Sequence, residues 1–403
     1  MTLQRADGIP RADEVARLVG AFDHWDPALA EDPHPVYERL RQECPVAHSA
    51  CHGGYWVLSR YGDIEAAARN PAAYSSTKIS IPLDIGLGGL PLPPLDQDPP
   101  SHTRFRQMLL PFFSPGRTAT LEPITRQAVV GLIEGFRADG SCNAAEAFTK
   151  PVPIAVMVQL LGVEPDDSAR FSQWISAIVE GGATGPEAAA QAGADVYAYF
   201  VDLLDARRAD PRDDLLTFML QAEVDGAQMD DQERLGCAVL LLIAGIDTTQ
   251  SALGSCLWYL AQDAEARRYI AGDESRLGPA VEELLRVFVP TSVARYTMTD
   301  VVVGEQPIPA GQPVLLPFPS ANWDETEFPD PGRVVLDRTP NRHLAFGAGV
   351  HRCLGAHLAR MEMRVALQEF LTRIPDFRLA DPDAVVWKAG PIRGPVRLDL
   401  VFG

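Results

Sequence analysis

No proline falls between Asp230 and Gln262, in a chain of 403 residues that carries 34 of them. Asp230 offers a side-chain cap, and Glu233, three residues on, completes a capping box. At the rise of an α-helix the segment predicts a rod of about 50 Å, far longer than an ordinary globular helix. Its middle is apolar on all sides, so the rod has to thread a core and the other elements have to wrap it. The apolar run is then broken by Ala244-Gly245-Ile246-Asp247-Thr248-Thr249. A glycine, an acid and two hydroxyls inside a buried helix are costly unless they are partnered or used.

A second run, Phe346-Gly347-Ala348-Gly349-Val350-His351-Arg352-Cys353-Leu354-Gly355, puts a cysteine among three glycines. The glycines allow a tight backbone turn that can lie flat against a large planar ligand. Leu354, Leu358, Met361 and Val365 repeat at helical spacing, and Pro375 ends the pattern, which predicts a helix over 354–374. Cys353 is thereby placed at a helix N-terminus, where the dipole and free amides favour a thiolate. A buried cysteine in a Gly-rich turn is the ordinary alternative. The order of Phe, Gly, His and Cys favours a thiolate presented to iron.

Composition narrows the classes. The net charge of −19 argues against a nucleic-acid partner. Six cysteines in a chain this long make no disulfide scaffold. The early residues Arg5, Asp7, Arg11, Asp13, Glu14 and Arg17 fit neither a signal peptide nor a membrane anchor. The longest apolar run, Cys237 to Ile246, is too short to cross a bilayer. A soluble cytoplasmic protein is expected. Nothing reads as a linker or repeat, so 1–403 is expected to form a single domain.

The cysteine run resembles the haem-ligand signature of the cytochrome P450 family, Phe-Gly-x-Gly-x-His-x-Cys-x-Gly, at every defined position, and the resemblance extends along nearly the whole chain. It implies a mainly α fold with a small β-rich lobe. It also implies haem b (iron protoporphyrin IX), held between the 230–262 and 354–374 helices with Cys353 as the axial metal ligand and Phe346 and Gly347 in the haem-binding loop. An anionic sulfur on iron favours O–O cleavage. Ala244 to Thr249 resembles the family's oxygen-activation motif. By resemblance Gly245 lets the helix pass close to the haem, while Asp247 and Thr248 relay protons. Thr248 can bond a backbone carbonyl and open the helix locally.

Glu283 and Arg286, at i and i+3, share a helix face among Leu284, Leu285, Val287 and Phe288. They resemble the family's Glu-x-x-Arg pair, with Arg333 as the third member of that structural network. Gly332 and Val334 depart from the Asp and Phe usual beside that arginine. Trp323 stands where the family carries Arg, which puts a local salt bridge in doubt. The haem propionates require donors. The resemblance assigns His102 and Arg106, in Asp98-Pro99-Pro100-Ser101-His102-Thr103-Arg104-Phe105-Arg106, together with Arg295 and His351. Cys44, His48, Cys51 and His52 fit no zinc spacing.

These readings imply a monooxygenase that uses O2 and takes electrons from NAD(P)H through a ferredoxin reductase and a ferredoxin. Arg104, Arg342, Arg352, Arg360 and Arg364 form the expected dock. A peroxide-driven haem-thiolate enzyme and a non-catalytic haem protein are the alternatives, and the acid–threonine pair argues against both. Ile85, Leu87, Ile243, Ala244, Thr291 and Val293 are expected to face a lipophilic substrate.

Overall fold

The computed structural model describes residues 19–82, 90–164, 167–179, 186–224 and 226–403. Ile85, Leu87 and the charged N-terminal residues lie outside the described residues.

The proline-free segment is one helix, Asp231–Gln262, here called the central helix. Asp230 accepts from the Glu233 N–H at 2.8 Å, and Glu233 returns a bond from the Asp230 N–H at 2.9 Å, so the capping box is complete. By length and hydropathy the helix could pass for a membrane span, but 78% of its most apolar stretch is buried inside the protein. It is a core helix because other elements cover it. Pro151–Leu161, Pro186–Ala209 and the cysteine helix, Ala356–Arg373, pack against it. The cysteine helix in turn lies along Pro115–Arg137.

The largest sheet has five strands in the order Val46–Ser49, Tyr55–Leu58, Pro313–Pro317, Ser292–Thr297, Tyr74–Ser75. Only the pairing of Tyr55–Leu58 with Pro313–Pro317 is parallel. A hairpin of Val386–Lys388 and Gly394–Arg397 docks on the central helix, where Gly394 and Gly254 make room. A Cβ on Gly394 would lie 2.5 Å from Ser251 Cβ, and one on Gly254 would lie 2.8 Å from Pro395 Cγ. The mainly helical fold with small sheets agrees with the sequence reading. Strand Ser292–Thr297 is hard to read from the sequence. Its Arg295 sits at a buried position and breaks the alternation that betrays a half-buried strand.

Candidate functional site

The cysteine run forms a turn of 3₁₀-helix, Gly349–His351, followed by the cysteine helix. That helix begins two residues later than the spacing predicted, with Gly355 as its cap, so Cys353 precedes it. Gly347 and Gly349 adopt φ of 65° and 70°, which only glycine takes at little cost. A Cβ on Gly349 would collide with the Ala68 carbonyl and stand 2.8 Å from Arg69 Cα. The Cys353 N–H donates to the Phe346 carbonyl at 2.8 Å and closes the loop.

A support lies beneath this loop. The Arg360 guanidinium stacks on the Phe346 ring, 4.3 Å from its centroid, and grips Glu282 at 2.6 and 2.8 Å. His343 reaches the same acid at 3.0 Å. Against the penalty of burial, Arg360 and His343 bring Glu282 down to about 2. Sequence reasoning missed Glu282 as the partner of both residues.

The Cys353 side chain is open to solvent on one side, but packed protein on the others raises its thiol pKa. The Gly355 N–H and the charges of Arg106, Arg352 and Arg360 oppose that rise. A thiol so placed becomes a thiolate when a metal ion binds the sulfur. The donors expected for two carboxylates are gathered nearby. The His102 and His351 rings lie 4.2 Å apart, and His102 Nδ1 and Nε2 and His351 Nε2 are buried without partners. Burial pushes His351 down to about 3, with Arg295, His102 and Arg106 adding to the effect. Burial likewise pushes Arg295 to about 10, with Asp98 opposing it. Asp98 is already held by Ser75 Oγ at 2.5 Å and the Ser76 N–H at 2.8 Å. Buried donors this short of acceptors suit an anionic group from outside the chain. The thiol and these donors together fit a haem with its propionates.

On the central helix, Thr248 Oγ1 donates to the Ala244 carbonyl at 2.9 Å, as expected of a hydroxyl that loosens a helix. Ala244 is exposed, and Ile243 and Thr248 are half-buried, in the middle of an otherwise buried rod. The helix therefore faces a cleft here. Thr291 and Val293 are also half-buried. Asp247 is buried and ion-paired to Lys388 Nζ of the hairpin, while its Oδ2 has no partner. Lys388 had no place in the sequence reading.

Gly245 has a packing role that the sequence did not show: a Cβ there would lie 2.6 Å from Met157 Sδ. Its small size admits the helix Pro151–Leu161. Arg333 is not the third member of the buried network. Its side chain is exposed, and only its carbonyl takes part, accepting from Arg286 and Arg338 at 3.2 Å. Arg338 Nε contacts both Glu283 oxygens at 3.1 Å, and Arg286 grips the same acid at 2.8 Å through two nitrogens. The cause is the Val335 N–H, which donates to Glu283 Oε1 at 2.8 Å and draws the chain across the acid, so that 338 returns to it.

The comparisons agree with this geometry. The family profile described as Cytochrome P450 matches residues 277–383. Mycinamicin IV hydroxylase/epoxidase of Micromonospora griseorubida is 36% identical over 91% of this chain and 94% of its own length. Vitamin D(3) 25-hydroxylase of Pseudonocardia autotrophica is 34% identical over 93% and 94%. The solved structure of cytochrome P450 CYP109Q5 from Chondromyces apiculatus superimposes with a TM-score of 0.88 at 33% identity, covering 95% of this chain and 98% of that one. With relatives this similar along their whole length and the same fold, the chain belongs to the cytochrome P450 family, as a monooxygenase whose cofactor is haem b.

Proposed function

We propose that this enzyme hydroxylates or epoxidises a bulky lipophilic molecule, with electrons from NAD(P)H delivered by a ferredoxin reductase and a ferredoxin in the cytoplasm. The whole of 1–403 would act as one domain. The observation that carries the reading is the pairing of Thr248 with the Ala244 carbonyl beside Asp247, on the one stretch of the central helix that opens to a cleft. When bound, the haem supplies the oxidising power, and a thiolate at Cys353 favours O–O cleavage. The chain's own residues do the rest. His102, Arg106, Arg295 and His351 hold the propionates. Glu282 and Arg360 keep Phe346 and the cysteine loop in place. Asp247 and Thr248 pass protons into the cleft. Ile243, Ala244, Thr291 and Val293 bound the substrate. Support for such a substrate comes from relatives named as a mycinamicin IV hydroxylase/epoxidase and a vitamin D(3) 25-hydroxylase.

The ferredoxin dock is narrower than a count of arginines suggests. Arg360 is committed to Glu282, Arg364 to Glu122 and Arg342 to Glu327. Arg352 is exposed and makes no ion pair among the described residues, so it is the first residue to test. Arg352→Glu slows reduction by ferredoxin and leaves substrate binding unchanged; an unaltered reduction rate rejects the dock. Turnover with reductase, ferredoxin and NAD(P)H, compared with turnover on hydrogen peroxide, separates a monooxygenase from a peroxide-driven enzyme. Thr248→Ala diverts electrons to peroxide if the relay reading is right.

A further inference from the structure

The segment Leu90–Pro100 lies against the first third of the central helix, and a notch in that helix sets how closely. A Cβ on Gly236 would collide with the Pro91 carbonyl oxygen and stand 3.0 Å from Pro93 Cδ. The neighbouring Cys237 thiol donates to the Pro93 carbonyl at 3.2 Å. The strap is stiffened from within, since the Leu92 N–H donates to Asp96 Oδ2 at 2.8 Å and the Leu95 N–H to the Leu92 carbonyl at 2.8 Å. Leu92 itself is buried in the main core. These contacts form a fixed backbone-to-backbone seat that only glycine permits.

The helical repeat links this seat to the cleft. Gly236, Leu240, Ile243 and Asp247 follow one another at steps of four, three and four, and so lie along one face. Ile243 and Ala244 are seven residues beyond Gly236 and Cys237, about 10 Å along the axis. Past its far end the strap runs into the helix Ser101–Leu109, whose His102 meets His351. The strap therefore sits on the helix face that, about two turns further on, carries Ile243 beside the cleft.

We propose that Gly236 is a specificity-determining residue: by letting the Pro91–Pro93 backbone sit directly on the central helix, it fixes the height of the cleft and the largest ligand the cleft accepts. The inference rests on the haem site proposed above. Any side chain at this position lifts the strap, because the opposing atom is a backbone carbonyl and cannot rotate aside.

The test uses the haem-loaded full chain and a series of 1-alkylimidazoles of increasing length, with binding read from the optical shift of the haem. In the native chain each added methylene tightens binding about fourfold until the alkyl group reaches the strap, where the gain stops. In Gly236→Ala the gain continues to longer chains, and unsubstituted imidazole binds both proteins alike. Gly131→Ala serves as the control, since a Cβ there meets nothing within 4 Å. A break at the same chain length in both proteins, with carbon monoxide spectrum and melting temperature retained, overturns the role of Gly236. The absence of any shift with imidazole itself overturns the haem site, and the inference with it. If Gly236→Ala does not fold, amide exchange in the native chain decides. Imidazoles longer than the break accelerate exchange at Leu92, Leu95 and Asp96, whereas shorter ones do not; exchange unaffected at every length overturns the proposal.

Discussion

Lys388 and Asp247 are separated by 141 positions, and the ion pair between them is the feature of the site least visible in the sequence. Asp247 could be identified from its neighbours, because an acid beside threonine inside an apolar helix is locally anomalous. Its partner lies in an unremarkable strand, Val386–Lys388, and only the docking of the hairpin brings the two together. Lys388→Met strands a buried carboxylate, so product formed per O2 consumed is expected to fall and peroxide release to rise, with Lys388→Arg retaining most of the coupling. An unchanged product yield in the Met variant would show that the ammonium is only a structural counter-ion. The same reasoning separates two arginines five positions apart. Arg338→Ala removes a nearly buried partner of Glu283, which keeps Arg286, and is expected to cost about 1.5–3 kcal/mol in urea unfolding. Arg333→Ala, at an exposed side chain, is expected to cost no more than about 0.5 kcal/mol. Equal losses for the two would restore the sequence-based assignment.

At the scale of elements, whatever local chemistry dictates was legible. The capping box at Asp230 and Glu233 fixed the start of the central helix to the residue, and Gly347 and Gly349 announced the turn before Cys353. The reverse holds for elements defined by their partners. Strand Ser292–Thr297 carries Arg295, which reads as a break in a strand until His102 and His351 are placed around it. The packing need for a glycine at 245 is visible only once Met157 is seen opposite. Two departures from the family pattern, Trp323 and Gly332, also lie against each other. The indole stacks on His34 at 3.5 Å and donates to the Val287 carbonyl at 3.1 Å. A Cβ on Gly332 would lie 3.1 Å from Trp323 Cζ3. Packing of an indole over a glycine thus occupies the place where a salt bridge was in doubt. Gly332→Asp alone overpacks this contact and should lower stability by about 1–3 kcal/mol. Adding Trp323→Arg to it should recover part of the loss, and a strictly additive double mutant would disprove the coupling.

For the molecule as a whole, the buried histidines predict sensitivity to acid. His24 is buried, bonds Tyr55 Oη at 3.4 Å and holds the Gly390 N–H through its carbonyl at 2.8 Å. Burial lowers it to about 4, Asp23 opposing and His52 reinforcing the shift. Because the folded value lies below the unfolded one, the group costs nothing above its ordinary pKa. As pH falls towards 4 the unfolded chain takes up a proton that the folded chain refuses, and stability drops by up to about 1.4 kcal/mol per pH unit. Urea midpoints measured across this range should show the slope, and His24→Asn should flatten it; an identical slope in the variant would assign the sensitivity elsewhere. The fold also imposes an order on its own biogenesis. The counter-ion of Asp247 is Lys388, and the hairpin carrying it lies 141 positions further along the chain, beyond Cys353. A chain ordered only as far as Cys353 still has a bare carboxylate inside its central helix, and the hairpin must dock before that charge is neutralised.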